Sequence, residues 1–146
     1  METINDFRNK MYCRLIEEMI VSEGRDNSGR VGEENIVFGN DEFKAIREGN
    51  PWVRMIVTHS TDGEAFPGIQ RRRTGSATIS VYTPITFSQE QADAYGQVIM
   101  DGFVKNPVGD RIRIISASPR ELEPTEIGSV TWNQMDIIVL FEYRVP

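Results

Sequence analysis

The 146-residue chain has one cysteine and one histidine. A lone thiol, Cys13, excludes an internal disulfide and any site built from several cysteines; it reads as a small filler on a helix flank. The only histidine, His59, lies beside Ser60 with Asp62 close by, but neighbours on a strand point to opposite faces, so a Ser-His-Asp triad is not expected there. A metal would need His59, Asp62 and Glu64 to converge, which nothing in their spacing imposes. Neither G-x-G-x-x-G nor G-x-x-x-x-G-K-[ST] occurs, so the 12 glycines build no recognisable phosphate cradle. Long apolar runs are missing as well. The longest spans five residues, Ile137 to Phe141, against the ~20 needed to cross a bilayer. Residues 4–20 alternate polar and apolar at helical spacing and lack the charged-then-apolar order of a signal peptide. A soluble protein made in the cytoplasm is expected, with no catalytic, metal or cofactor-binding residue in view.

What is present is an ordinary globular composition, 39% hydrophobic and 26% charged, in a length that suits one domain, 1–146. The formal charge is −6, with 8 basic and 11 acidic side chains in residues 1–60 and the same numbers in 61–146. Neither half is basic, so a broad nucleic-acid footprint is not expected. The paired carboxylates Glu33-Glu34 and Asp41-Glu42 read as solvated loop charge.

Ile4, Phe7, Met11, Leu15 and Met19, widened by Tyr12, Ile16 and Ile20, predict an amphipathic helix over 3–22. A polar, glycine-containing loop over 22–30 ends it. Residues 35–38 read as a short strand or extended segment, and 41–48 as one or two helical turns. Alternation and β-branched residues predict strands over 52–59 and 74–83, joined by a long loop over 60–70. Ala77, Ile79 and Val81 share one face of the second strand; Thr78, Ser80 and Tyr82 share the other. Ser88 and Gln91 form a capping box for a helix with an inward stripe of Ala92, Tyr95, Val98, Ile99 and Phe103, stopped by Asn106-Pro107 and Gly109. Strands follow over 111–118 and 129–143. The last would reach roughly 50 Å, more than one small sheet is expected to pair, so a bend, a bulge or an end projecting to a neighbour is anticipated. The fold expected is α+β: a mainly antiparallel sheet of four to five strands with two main helices packed on one face.

One feature asks for a partner. Arg71, Arg72 and Arg73 are adjacent cations, which repel one another and fit solvent, an acidic neighbour or a phosphate. Arg54 shares a strand face with Trp52, where it would stack on the indole or reach a partner carboxylate. Trp52, Tyr82 and Trp132 themselves read as packing residues.

Taken in order, these residues resemble the tail terminator (tail completion) proteins of long-tailed bacteriophages. The likeness runs over 35–143. Asn35 and Phe38 come first, then Trp52 and Arg54, then Arg72-Arg73-Thr74-Gly75 leading into Ile79-x-Val81-Tyr82-x-Pro84. A helix with Ala92 and Phe103 follows, and a closing strand around Trp132. Where members of that family often carry glycines between the proline and the helix, this chain has Ile85-Thr86-Phe87. The resemblance implies a structural virion protein, not an enzyme. Such a subunit forms a homohexameric ring at the head-proximal end of the tail tube, between the tube protein and the neck or head completion proteins. Genomic DNA passes through without sequence-specific contact, and no membrane or cofactor is involved. The interface cations on this reading are Arg54, Arg71, Arg72, Arg73, Arg111 and Arg113. The alternatives are a head–tail joining (neck) protein of the same class, or a small cytoplasmic binding module or enzyme subunit.

Overall fold

The computed structural model describes residues 4–24, 26–39, 50–59, 71–104, 108, 112–127 and 130–145, with the backbone alone described at 4–7, 59, 71–73 and 144–145. The first helix, α1 (Ile4–Met19), buries Met11, Leu15 and Met19 completely, one side chain per turn at i, i+4, i+8. It stops three residues before the expected end. Ile20 instead forms a parallel bridge with Val31, and Val31 N–H donates to the Met19 carbonyl at 2.8 Å while Val21 N–H donates to Val31 at 3.0 Å. The loop between turns back through Gly24 and Gly29, both at positive φ (82° and 76°), a conformation costly for other residues.

A 3-10 turn holding the exposed Glu33 and Glu34 leads into β1 (Ile36–Phe38), then β2 (Trp52–His59), β3 (Arg71–Pro84), α2 (Gln89–Val104), β4 (Ile112–Glu121), β5 (Thr125–Ile127) and β6 (Val130–Val145). The strands form one six-stranded sheet in the order β1-β2-β3-β6-β4, with β5 also pairing β6. The architecture is α+β with a mixed sheet: β1 runs parallel to β2, and the other pairings are antiparallel. The short strand anticipated over 35–38 is β1, and the expected four to five strands become six through β5, whose three residues are too few for a periodicity argument.

The long closing strand does not project. β3 is itself fourteen residues long, beginning at Arg71 and not at the expected Thr74, and it pairs β6 from Arg71↔Val145 to Pro84↔Trp132. β4 and β5 cover the other side of β6 in series. The anticipated bulge does exist, but on β4, where the register shifts between Ile114 and Ser116 and Ile115 is left 53% exposed.

Both helices lie on one face. Val53, Met55, Val57, Ala77, Ile79, Val81, Ile112, Ile114, Ile137, Val139 and Phe141 join Met11, Leu15, Met19, Ile99 and Phe103 in one core. The capping box at α2 forms as the spacing requires: Gln91 N–H donates to Ser88 Oγ at 3.2 Å and Ser88 N–H to Gln91 Oε1 at 2.9 Å. The expected helix over 41–48 and loop over 60–70 lie outside the described residues.

Gly75 has a packing reason. It faces Phe141 across β6, and a Cβ there would stand 2.6 Å from the Phe141 ring and 2.9 Å from the Thr58 carbonyl oxygen. Gly75→Val should therefore destabilise the fold by about 1–3 kcal/mol through overpacking, read as a lower urea midpoint with an unchanged denaturant slope.

Candidate functional site

Alternation along each strand sends one set of side chains to the helices and the other to the opposite sheet face. On that opposite face the apolar end is closed by aromatics. Trp52 and Tyr82, cross-strand partners, stack with ring centroids 4.1 Å apart at 14°, and Trp132 meets Trp52 edge-on at 6.2 Å and 87°. Val37 completes this second core, with Ile127 and Val130 packed on it. The buried Trp132 indole N–H has no hydrogen-bond partner among the described residues, so this side chain contributes through its area. The resemblance residues Trp52, Tyr82 and Trp132 thus converge on one cluster.

Next to it runs a polar network. Thr125 Oγ1 donates to Gln134 Oε1 at 2.7 Å, Gln134 Nε2 to Asp136 Oδ1 at 3.0 Å, and Ser80 Oγ to the same oxygen at 2.8 Å. Beyond it the face carries small hydroxyl residues: Thr58, Thr74, Ser76, Thr78, Ser116 and Ser118. Ile56 and Leu140 stand on it, 39% and 44% exposed, with Ile138 half-buried between them.

The expected interface cations separate into three groups. Arg54 works within the chain: its guanidinium carbon lies 5.8 Å from the Trp52 ring centroid, and Nη1 donates to the Gly39 carbonyl at 3.0 Å. The expected stacking on Trp52 is therefore present. Arg113 lies on β4 about 25 Å from Arg54 by strand spacing and rise; it pairs with Glu142 at 3.3 Å while 75% of its side chain stays exposed. Arg71, Arg72 and Arg73 lie inside β3, and the backbone register sets Arg72 opposite Arg144; their side chains, and all of Arg111, lie outside what is described. Ser60, Asp62 and Glu64 also lie outside the described residues.

Two groups escaped the sequence reading. Arg120 is exposed on β4, opposite Asp136. On the helix side, Glu90, Asp93, Gln97, Asp101 and Val104 are all exposed along α2 and fall on one stripe at 100° per residue. Gln89 Nε2 donates to Asp93 and Gln97 Nε2 to Asp101, at 2.9 and 2.8 Å. α2 contains three carboxylates and no cation. Counting charge by halves of the chain hides this, because the three carboxylates lie on one helix that carries no cation.

A cavity of about 110 Å³ lies under the start of α2, lined in part by Thr83, Gln89, Glu121 and Asn133. It is smaller than the ~300 Å³ at which small-molecule sites begin, whereas a shallower groove of about 420 Å³ lies between α2 and β4, lined in part by Asp93, Gln97, Pro119 and Glu121. Gln89 Nε2 donates across the cavity to Glu121 at 3.0 Å and Asn133 Nδ2 to the Pro84 carbonyl at 3.4 Å. Among the described residues there is no cluster of three His, Cys, Asp or Glu side chains, and no helix long and apolar enough to cross a membrane.

Burial is the largest influence on Tyr82 and pushes its phenol above the usual value of 10; a Ser80 hydrogen bond opposes this, Asp136 reinforces it and Arg54 opposes it. Burial raises Tyr95 in the same direction. A phenol held protonated in the fold stabilises it below about pH 10, and that contribution is lost as pH rises through the folded value. Stability in urea should accordingly fall as pH rises above about 10, less steeply in Tyr82→Phe. Trp132→Ala should cost about 3–5 kcal/mol and lower Tm by roughly 10 °C or more, followed by circular dichroism, while Trp132→Phe retains most of the stability.

No family model and no curated protein matches this chain. Among 24 matching chains of solved structures, one that carries no functional name aligns over 95% of this chain and 96% of its own, with a TM-score of 0.56 and 16% identity. At that identity the likeness is one of fold alone.

Proposed function

We propose that this protein is a structural subunit of a long-tailed bacteriophage, forming a ring, six-fold by the family resemblance, that ends the tail tube and joins it to the head or neck. The observation that carries this reading is the two-sided surface. One side of the subunit is a hydroxyl-lined sheet face with exposed arginines; the other is a helix with an acidic outer stripe. Such a subunit suits association through broad faces more than chemistry in a cleft. The ordered motifs over 35–143 supply the family, and the convergence of Trp52, Tyr82 and Trp132 gives their spacing a common physical purpose.

The mechanism on this reading is steric. A growing tube exposes an unfilled subunit interface, and the ring occupies it while presenting a different surface to the neck. Contact through strand addition is the less favoured route. β4 is an edge strand, and the Leu122 N–H to Gln134 carbonyl bond, continued by alternation, turns the backbone of Ala117, Pro119 and Glu121 outward. Proline there offers no donor to an added strand.

Electron microscopy of the purified protein at high concentration should show six-fold rings with an open centre. Monomers alone, or compact dimers with no opening, would sink the ring reading.

A further inference from the structure

The groove of about 420 Å³ between α2 and β4 falls within the size range of sites that enclose a small ligand or a single side chain, roughly 300–1,000 Å³. Its floor is apolar and soft. Met135 is buried there, Met100 is half-buried, and the exposed Pro119 stands on the β4 wall. Gly96 makes this floor possible, since a Cβ on it would stand 2.6 Å from the Met135 sulfur. Methionine side chains are unbranched and polarizable, so they mould to an inserted chain without imposing a shape of their own.

The rim is rich in acceptors and poor in donors. Asp93 stands on the helix wall and Glu121 on the strand wall. The Gln89 amide nitrogen lies between them and donates to Asp93 Oδ1 at 2.9 Å and to Glu121 Oε1 at 3.0 Å. One nitrogen thus serves two carboxylates, and among the described residues no cation lines the groove. β4 adds a third acceptor, because the backbone of Pro119 is turned outward and has a carbonyl but no N–H. The group that fits this set brings a positive charge, several donors, no acceptor and an apolar stem to lie on the methionines. Arginine has all four, with five N–H donors in a planar fork on a chain of methylenes. Lysine has the charge and the stem but gathers its donors at one point. A phosphate would be repelled.

We infer that this groove is a docking site for an arginine presented by a different protein. The guanidinium takes the place of the Gln89 amide between Asp93 and Glu121 and donates to the Pro119 carbonyl, while its methylenes lie along Met100 and Met135. Arginines described on this chain's own sheet face are already engaged: Arg54 donates to the Gly39 carbonyl, Arg113 pairs with Glu142, and Arg120 stands opposite Asp136. The occupant is therefore sought outside the chain. Pro119 also disfavours an added strand at this edge, so the arginine arrives on a helix or a loop. This docking goes beyond the ring proposed above and does not rest on it.

The test is a titration of the isotope-labelled protein with N-acetylarginine methylamide, followed by nuclear magnetic resonance. The side-chain amide of Gln89 and the methyl groups of Met100 and Met135 should shift together and saturate, with a Kd on the order of 1 mM. The citrulline counterpart, similar in shape but neutral, should bind at least ~10-fold more weakly, with the lysine counterpart in between. Asp93→Asn/Glu121→Gln keeps the size of both side chains and should weaken arginine binding about 10-fold or more. Gln89→Ala should instead strengthen it a few-fold, because the competing amide is gone. A loosely attractive acidic surface would gain nothing from that change, so weaker or unaltered binding in Gln89→Ala would overturn the seat between the two carboxylates. Backbone resonances unchanged away from the substituted positions show that each variant folds. Equal binding of arginine and citrulline, shifts that fail to saturate, or shifts centred on Glu33 and Glu34 would also overturn the inference. Self-association of the wild-type chain that Asp93→Asn/Glu121→Gln abolishes would assign the groove to a second copy and overturn the choice of a different protein.

Discussion

The β3–β6 ladder is the constraint on which the rest of the molecule depends. Fourteen consecutive residue pairs, from Arg71↔Val145 to Pro84↔Trp132, set one register for the two longest strands. Side chains alternate faces with period two, so that single register decides both cores at once. A slip by one residue would send Ile137, Val139 and Phe141 away from the helices and bring Asp136, Ile138 and Leu140 under them. Gly75 helps to prevent such a slip, since only the residue without a side chain fits beneath Phe141 and beside the Thr58 carbonyl.

From that register the two layers follow. On one face Met11, Leu15, Met19, Ile99 and Phe103 come down onto Ile79, Ile137 and Phe141. The return of Val31 alongside Ile20 ties the end of α1 to the loop behind it, and Gly29 of that loop approaches the Ala94 carbonyl oxygen of α2 closely enough to leave no room for a side chain. On the other face, burial is confined to the end where Trp52, Tyr82 and Trp132 stack. Among the described residues the remainder carries hydroxyl groups, arginines, the Gln134, Asp136 and Glu142 side chains and three exposed or half-buried aliphatic ones. The aromatic cluster covers one half of this face and, among the described residues, the other half carries mainly small side chains.

Much of this was legible in the chain. Residues 52–59 alternate, and β2 occupies those residues. The Ser88–Gln91 spacing announces a capping box, and both of its hydrogen bonds form. The separate faces of Ala77/Ile79/Val81 and Thr78/Ser80/Tyr82 also follow from periodicity. Other features were not legible, for identifiable reasons. A three-residue strand has no period to detect, so β5 was missed, and 35–38 could be read only as a short strand or extended segment where β1 pairs β2. α1 was overextended because Ile20 fits its stripe, whereas the bridge to Val31 depends on a turn made eleven residues later. The span of β6 suggested a bend, a bulge or a projecting end because its length exceeds the usual strand, whereas β3 matches it over fourteen residues.

The sequence by itself determined the local elements, the identity of the buried faces and the cluster of arginines before Thr74, because periodicity and capping are short-range properties. Tertiary structure alone decided which charges face outward together. Arg113 and Arg120 come to one sheet face, and Glu90, Asp93 and Asp101 to the opposite layer, only once strand order and helix packing are settled. Coulomb interactions act through space over distances near 10 Å, and no count along the chain reports which residues the fold brings within that range.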